Sequence, residues 1–182
     1  MSERPPYLPG DRAPGHDWAR MIRVDQAGEY GATRIYEGQL AVLRRGRAAG
    51  AIREMAEQER SHLAQFDRLT AARRVRPTAL SPLWHVAGYA LGAATALLGE
   101  HAAMACTVAV EEVIDGHYAR QAERLGASDP ELADAIRAAR TDELAHRDTA
   151  LAHDAALTPG YDLLSAAIRT GARVAIWLSE RI

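Results

Sequence analysis

The chain has 182 residues, 48% hydrophobic and 25% charged, with a formal charge of −2; it is long enough for one domain burying roughly 70% of its unfolded surface, too apolar for a disordered polymer, and too nearly neutral for a nucleic-acid-binding face. Its one cysteine, Cys106, excludes an intrachain disulfide framework and any zinc site of paired cysteines, so a reducing compartment is the default. All 22 basic residues are Arg and Asn is absent, a genome-composition bias; the wealth of Ala, Leu, Arg and Glu, with no alternating Val/Ile/Thr runs, makes this an all-α chain.

Residues 1–16 are rich in proline (Pro5, Pro6, Pro9, Pro14) and lack the basic and apolar regions of a signal peptide, which predicts a flexible arm ahead of a domain over 17–182. Asp17 can cap a helix from about Trp18 to Arg45, with Gly46 and Gly50 as stop signals, and a second helix follows from about Ala51 to Arg74. Pro77 and Pro82 break the chain, and an apolar, glycine-punctuated segment occupies Leu83 to Gly99. Another helix runs from Glu100 to about Leu125. Ser128, Asp129 and Pro130 form a cap followed by a proline at the first helical position, opening a helix to about Leu157 that Pro159 and Gly160 end. A final amphipathic helix covers Tyr161 to Glu180. Four long helices of about 24 to 28 residues would span on the order of 40 Å. The segment between the second and third is too long for a tight turn and suits a crossover between two helical hairpins.

Two Glu-x-x-His motifs, Glu59 with His62 and Glu143 with His146, lie inside long predicted helices. With 13 Glu and 7 His in the chain, chance supplies about half a motif. Residues three apart share a helix face, so each carboxylate and its imidazole can reach one point on a bundle axis. The motifs also belong to an internal repeat. Glu29 is followed seven residues later by Tyr36 and then by Glu59 and His62; Glu111 is followed seven residues later by Tyr118 and then by Glu143 and His146, with Glu-to-Glu spacings of 30 and 32. Seven residues is two turns, so each tyrosine shares its glutamate's face toward the interior, and the parallel selects Glu111 over Glu112.

A Glu from each of two helices and a Glu-x-x-His from each of the other two is the ligand pattern of ferritin-like di-iron and di-manganese bundles. Four carboxylates balance two divalent ions; without metal they would repel one another and resist ionisation. Oxygen and imidazole donors without thiolate suit iron or manganese. A lone Glu-x-x-His reads as a solvated surface pair and a lone tyrosine as core packing; the six residues together point to a metal pair. His85, His101 and His153 show no such pattern and read as structural or exposed, and Cys106 as a small core residue.

With these residues the sequence resembles the demethoxyubiquinone hydroxylase family, the di-iron monooxygenases of ubiquinone biosynthesis. The likeness runs from about Trp18 to Ile182 through RVDQAGEYGATRIYEGQLAVL (Arg23 to Leu43), RVRPTALSPLW (Arg74 to Trp84), LGAATALLG, ACTVAVEEVIDGHY (Ala105 to Tyr118) and RVAIWLSERI. It implies a ferritin-like four-helix bundle with an apolar crossover helix and a C-terminal helix, and two Fe ions held by Glu29, Glu59, His62, Glu111, Glu143 and His146. His117 and Tyr118 match a pair that the family places near the substrate or its electron path. Gly116 and Arg147 depart from members with histidine at those positions, which leaves the surroundings of the ligands open. The implied reaction is O2-dependent hydroxylation of a polyprenyl methoxy-benzoquinol ring, with electrons ultimately from NADH; no Gly-x-Gly-x-x-Gly marks a Rossmann site.

A polyprenyl substrate lives in the bilayer, which gives the crossover two readings. Its longest apolar stretch, Val86 to Gly99, has 14 residues against the roughly 20 a spanning helix needs. It is then either a buried core helix, packed closely through Gly88 and Gly92, or an interfacial helix that enters one leaflet and admits the tail. The last helix sets Leu163, Leu164, Ile168, Ile176, Trp177 and Leu178 against Arg169, Arg173 and Arg181, a pattern that suits packing or anionic headgroups. The resemblance favours peripheral association with the cytoplasmic side of the cell inner membrane, with a lipid-presenting partner protein and a homo-oligomer both left open. Two rivals stand beside this reading: a ferritin-like ferroxidase or peroxidase without an organic substrate, and a lipid-binding module whose carboxylates are structural.

Overall fold

Six α-helices and one 3-10 turn run through residues 15–182, the part of the chain that the computed structural model describes: α1 (Gly15–Val42), α2 (Ala49–Ala72), α3 (Ser81–Leu97), α4 (Glu100–Leu125), α5 (Pro130–Ala152) and α6 (Tyr161–Ser179), with the 3-10 turn at Ala155–Leu157. No strand occurs among the described residues. The expected arm lies outside them, apart from its last two residues, which open α1.

Each long helix is present, with ends that differ from the sequence pattern for local reasons. Gly46 does mark the α1–α2 turn, where a Cβ would meet Glu100 Oε1 at 1.8 Å, but α1 stops three residues early and Gly50 lies within α2. The fifth helix ends at Ala152, short of Leu157, because Asp154 adopts a left-handed conformation (φ 62°). Asp154 also pairs with Arg47 at 2.9 Å, tying that break to the α1–α2 turn. The cap at the start of α5 is as expected: Asp129 Oδ1 accepts the Leu132 N–H at 3.2 Å, and Pro130 follows. Arg73, just past α2, bonds both oxygens of Asp129 and reaches Glu131 at 2.6 Å, locking the end of α2 to the start of α5.

α1 and α2 form one antiparallel hairpin, α4 and α5 the other, and α3 returns the chain between them. This is the ferritin-like four-helix bundle. α3 runs parallel along α1 at backbone contact: a Cβ on Gly92 would lie 1.9 Å from the Ile35 carbonyl oxygen, and one on Gly38 would lie 2.2 Å from that of Tyr89. Its outer side is bare. Only Gly92, Thr95 and Ala96 are buried, while Val86, Leu97 and Leu98 are 65%, 75% and 71% exposed, so the core-helix reading of this segment is corrected to a surface helix seated on α1. α6 lies against α4, where Ile168 packs on Cys106, Ala109 and Val110 and Arg169 pairs with Glu112 at 2.9 Å. Trp84 Nε1 donates to Ser179 Oγ at 3.0 Å, joining the start of α3 to the end of α6.

Two apolar clusters fill the bundle. One contains Ile22, Phe66, Leu125, Leu132 and Ile136, and the other Ile52, Met55, Met104, Val108 and Ala150. On each long helix one cluster lies before and the other after a short polar stretch: Glu29 on α1, Glu59 to His62 on α2, Glu111 on α4, and Glu143 to His146 on α5. Apolar burial at both ends therefore fixes a polar layer at mid-bundle.

Candidate metal centre

The six residues singled out by spacing all point into that layer, and none is more than 6% exposed. Their donor atoms form two groups, Glu29, Glu59, His62 and Glu143 in one and Glu59, Glu111, Glu143 and His146 in the other, with all atoms of a group within 4.8 Å of one another. Glu59 and Glu143 belong to both. Glu111 turns inward while its neighbour Glu112 is exposed and paired with Arg169, as the repeat requires.

His62 Nδ1 lies 3.5 Å from both Glu29 Oε2 and Glu143 Oε1, and His146 Nδ1 lies 3.1 Å from Glu59 Oε1 and Glu143 Oε2, of which only the last is a hydrogen bond. The opposite nitrogens face outward. His62 Nε2 donates to Asp142 Oδ2 at 3.0 Å, and His146 Nε2 donates to Gln58 Oε1 at 2.7 Å. Each partner sits immediately before the glutamate of the other motif. The tyrosines are crossed in the same way: Tyr36 donates to Glu111 Oε1 at 2.9 Å, and the Tyr118 hydroxyl donates to Glu29.

Inside the layer the polar atoms lack partners. Glu29 Oε2, both oxygens of Glu59, His62 Nδ1, Glu111 Oε2 and Glu143 Oε1 are buried without a hydrogen bond. Buried polar atoms are normally satisfied, so a converging set of lone pairs with no donor fits a cation. Electrostatics say the same of the metal-free protein. Burial, reinforced by the charge of Glu143, pushes Glu59 and Glu111 well above the usual carboxylate range. Burial would raise Glu143 as well, but the hydrogen bond with His146 and the nearby His62 imidazole hold it down to about 2. For His62 burial works downward, and the nearby carboxylates of Glu143 and Glu29, with the hydrogen bond to Asp142, outweigh it and raise the imidazole to about 11. Protons thus occupy the place where two divalent ions would carry the balancing charge, and the oxygen and imidazole donor set suits iron or manganese.

The other two predicted residues separate. Tyr118 is part of the layer through Glu29. His117 points away, with its Nε2 lying 2.8 Å from Gln121 Nε2 and 3.4 Å from Asp25 Oδ1, and it forms part of the wall of an open groove of about 470 Å³ between α1, α4 and α6. Asp25 is fully buried there, and burial pushes its carboxyl up to about 6 against the opposing pull of His117 and Gln121. Gly116 lines the groove and Arg147 bonds Asp148. Of the remaining histidines, His85 accepts or donates a 2.6 Å bond with Tyr30 at the surface, and Cys106 is buried in the core. Sequence reasoning missed Gln58, Asp142, Asp25 and Gln121. The first two carried a signal, since each directly precedes one Glu-x-x-His; the other two did not, being brought to His117 only by the pairing of α1 with α4.

The family described as ubiquinone biosynthesis protein COQ7 matches residues 16–179. The chain is similar to the 3-demethoxyubiquinol 3-hydroxylase of Rhodospirillum rubrum, 58% identical over 176 residues that cover 96% of this chain and 83% of that protein. It is 56% identical over 166 residues to the NADPH-dependent 3-demethoxyubiquinone 3-hydroxylase, mitochondrial, of Mus musculus, covering 89% and 76%. With the 5-demethoxyubiquinone hydroxylase, mitochondrial, of Saccharomyces cerevisiae it shares 44% identity over 180 residues, covering 90% and 77%.

Proposed function

The chain belongs to the ubiquinone biosynthesis protein COQ7 family and is a hydroxylase of the demethoxyubiquinol ring, and from that premise we propose that it works as a di-iron monooxygenase whose irons are held by Glu29, Glu59, His62, Glu111, Glu143 and His146. The observation that carries this reading is the buried layer of carboxylate and imidazole atoms without hydrogen-bond partners. Glu59 and Glu143, common to both groups, would serve both ions, with Glu29 and His62 holding one and Glu111 and His146 the other. Bound there, an iron pair supplies the two-electron reduction and cleavage of O2 that ring hydroxylation needs.

The chain's own residues do the rest. The apolar clusters on either side keep bulk water from the layer. Tyr36 and Tyr118 hold Glu111 and Glu29 by their hydroxyls, so Tyr118 is a positioning residue acting through Glu29. His117, in the groove wall, meets substrate or electron donor rather than metal. The reductant is a reduced nicotinamide; the expectation of NADH widens to NADPH, for which the mouse relative is named.

No helix among the described residues is long and apolar enough to cross a membrane. The bare side of α3, with Val174 and Trp177 of α6 about half exposed, supports peripheral seating of the bundle on a bilayer from which a polyprenyl tail is drawn. In this bacterial-type reading the surface is the cytoplasmic side of the inner membrane; the mouse and yeast relatives are named mitochondrial. A ferroxidase would use the same ligands but has no use for that face.

The test is turnover of a short-tailed demethoxy-quinol by iron-loaded protein with NADH or NADPH and labelled O2, read by mass spectrometry. A ring product with one labelled oxygen is expected. Oxygen uptake with no hydroxylated ring, even with a lipid-presenting partner added, would replace the monooxygenase reading by the ferroxidase one.

A further inference from the structure

The layer is two-fold symmetric in its ligands and unsymmetric just outside them. His62 and His146 occupy equivalent places in the repeat, turn Nδ1 inward, and hand the outer N–H to a residue from the opposite motif. For His62 the acceptor is a carboxylate, Asp142, whose single ion pair among the described residues is with His62. For His146 it is the neutral amide of Gln58. We propose that the two metal positions are therefore inequivalent: the position of Glu29 and His62 holds its ion more tightly than that of Glu111 and His146, and fills first.

The physical cause is ligand basicity. An imidazole whose outer N–H points at an anion gains electron density on the inner nitrogen as the proton is drawn outward, and it donates more strongly to a cation there. An amide oxygen at 2.7 Å orients its ring equally well but brings no net charge. The carboxylate also adds a fifth negative charge beside one position only, and at 45% exposure Asp142 is partly screened, so the difference is one of degree. Changing such an outer partner typically alters metal affinity about 10- to 100-fold. Glu59 and Glu143, shared by both positions, couple the two binding steps in the same way whatever lies outside the histidines.

This inference rests on the metal reading above, and its test separates the two. Metal-free full-length protein is titrated with Co2+ alone, followed by visible absorption and calorimetry, in the wild type, Asp142→Asn, Gln58→Glu and the double variant. Asn keeps an acceptor oxygen for His62 and Glu keeps one for His146, so each substitution changes charge with little change in shape. The wild type is expected to bind in two steps, the first about 10- to 100-fold tighter. Asp142→Asn should weaken the first step alone and bring the two together; Gln58→Glu should tighten the second alone; the double variant should again show two separated steps. A merely structural role for either residue would weaken both steps and leave the double variant the worst of the four. Unchanged step separation in Asp142→Asn overturns the inference while leaving the metal site standing. Failure of all four proteins to bind Co2+ overturns the metal reading beneath it.

Discussion

The Tyr36 hydroxyl donates to Glu111 Oε1 across 2.9 Å, joining a residue of the first repeat to the glutamate of the second. The reciprocal bond runs from Tyr118 to Glu29, so each half of the repeat holds the other's carboxylate and neither half-site is complete alone. Both tyrosines are buried, and burial first, then the neighbouring carboxylates, keep their hydroxyls protonated far above neutral pH as permanent donors. Replacing Tyr36 by Phe leaves Glu111 without its donor at a site closed to water. A loss of about 1.5 to 3 kcal/mol in the stability of the metal-free protein is expected from urea unfolding. A loss below about 0.5 kcal/mol would mean that the bond is not formed in solution.

Glu59 distinguishes a metal site from a structural cluster. It is fully buried, neither oxygen has a hydrogen-bond partner, and burial beside Glu143 and Glu29 keeps it protonated without metal. Glu59→Gln should therefore leave the metal-free fold as stable as the wild type or slightly more so, while removing iron from both positions and abolishing hydroxylation. Thermal unfolding and iron analysis on the same samples check this. A marked drop in stability with iron retained would favour the structural reading.

How much of this was legible follows from what depends on local spacing. Glu29, Glu59, His62, Glu111, Glu143 and His146 could be chosen from the chain because a repeat of nearly equal period puts them in register on four helices, and helical periodicity then turns them inward. The crossed bonds of Tyr36 and Tyr118 were hidden, since they depend on α1 lying antiparallel to α4. Helix ends were misplaced where a single backbone angle decides them, as at Asp154, with no proline to mark the break. The glycines of the crossover announced close packing, but not that it would be one-sided, leaving Val86, Leu97 and Leu98 bare.

Gly92 and Gly171 make a matched pair of substitutions. A Cβ on Gly92 would lie 1.9 Å from the Ile35 carbonyl oxygen and 3.0 Å from its Cα, all backbone, so α3 must move off α1. Gly92→Ala should cost about 1 to 3 kcal/mol. At Gly171, in α6, nothing lies within 4 Å, and Ala should stabilise by about 0.5 to 1 kcal/mol through helix propensity. Equal effects in chemical denaturation would contradict the seating of α3 described above.

Asp25 should write a signature on the pH dependence of stability. Burial raises its folded pKa from 3.8 to about 6, so between those values the native state holds more protons than the unfolded one and stability falls as pH rises. The difference of about 2 pH units corresponds to about 3 kcal/mol of destabilisation by pH 7. His117 and Gln121 oppose the shift and the charge of Glu29 adds to it, so these groups share the effect. Asp25→Asn lacks the ionisation. Its stability relative to wild type, both metal-free, should be greatest at pH 7 and decline toward pH 4; parallel curves would show that Asp25 is not buried as described.

The bare faces of α3 and α6 give the last prediction. Val86 and Trp177 are 65% and 54% exposed, and Arg181 lies over the Trp177 ring at 4.2 Å, an arrangement that sets an aromatic body beside a cation able to meet lipid phosphate. Burying one such apolar side chain in a bilayer interface contributes about 1.5 to 3 kcal/mol, and each nearby Arg about 1 kcal/mol at an anionic surface. The Val86→Glu, Trp177→Glu double variant should therefore lose at least about tenfold in partitioning to vesicles containing phosphatidylglycerol, measured by flotation, with its unfolding temperature and iron content unchanged. Leu151→Glu, a single apolar-to-acidic change at an exposed position of α5, a helix that packs on neither α3 nor α6, should bind vesicles like the wild type. If Leu151→Glu and the double variant lose binding alike, adhesion to lipid is a property of the whole surface, and the seating of the bundle on α3 and α6 is wrong.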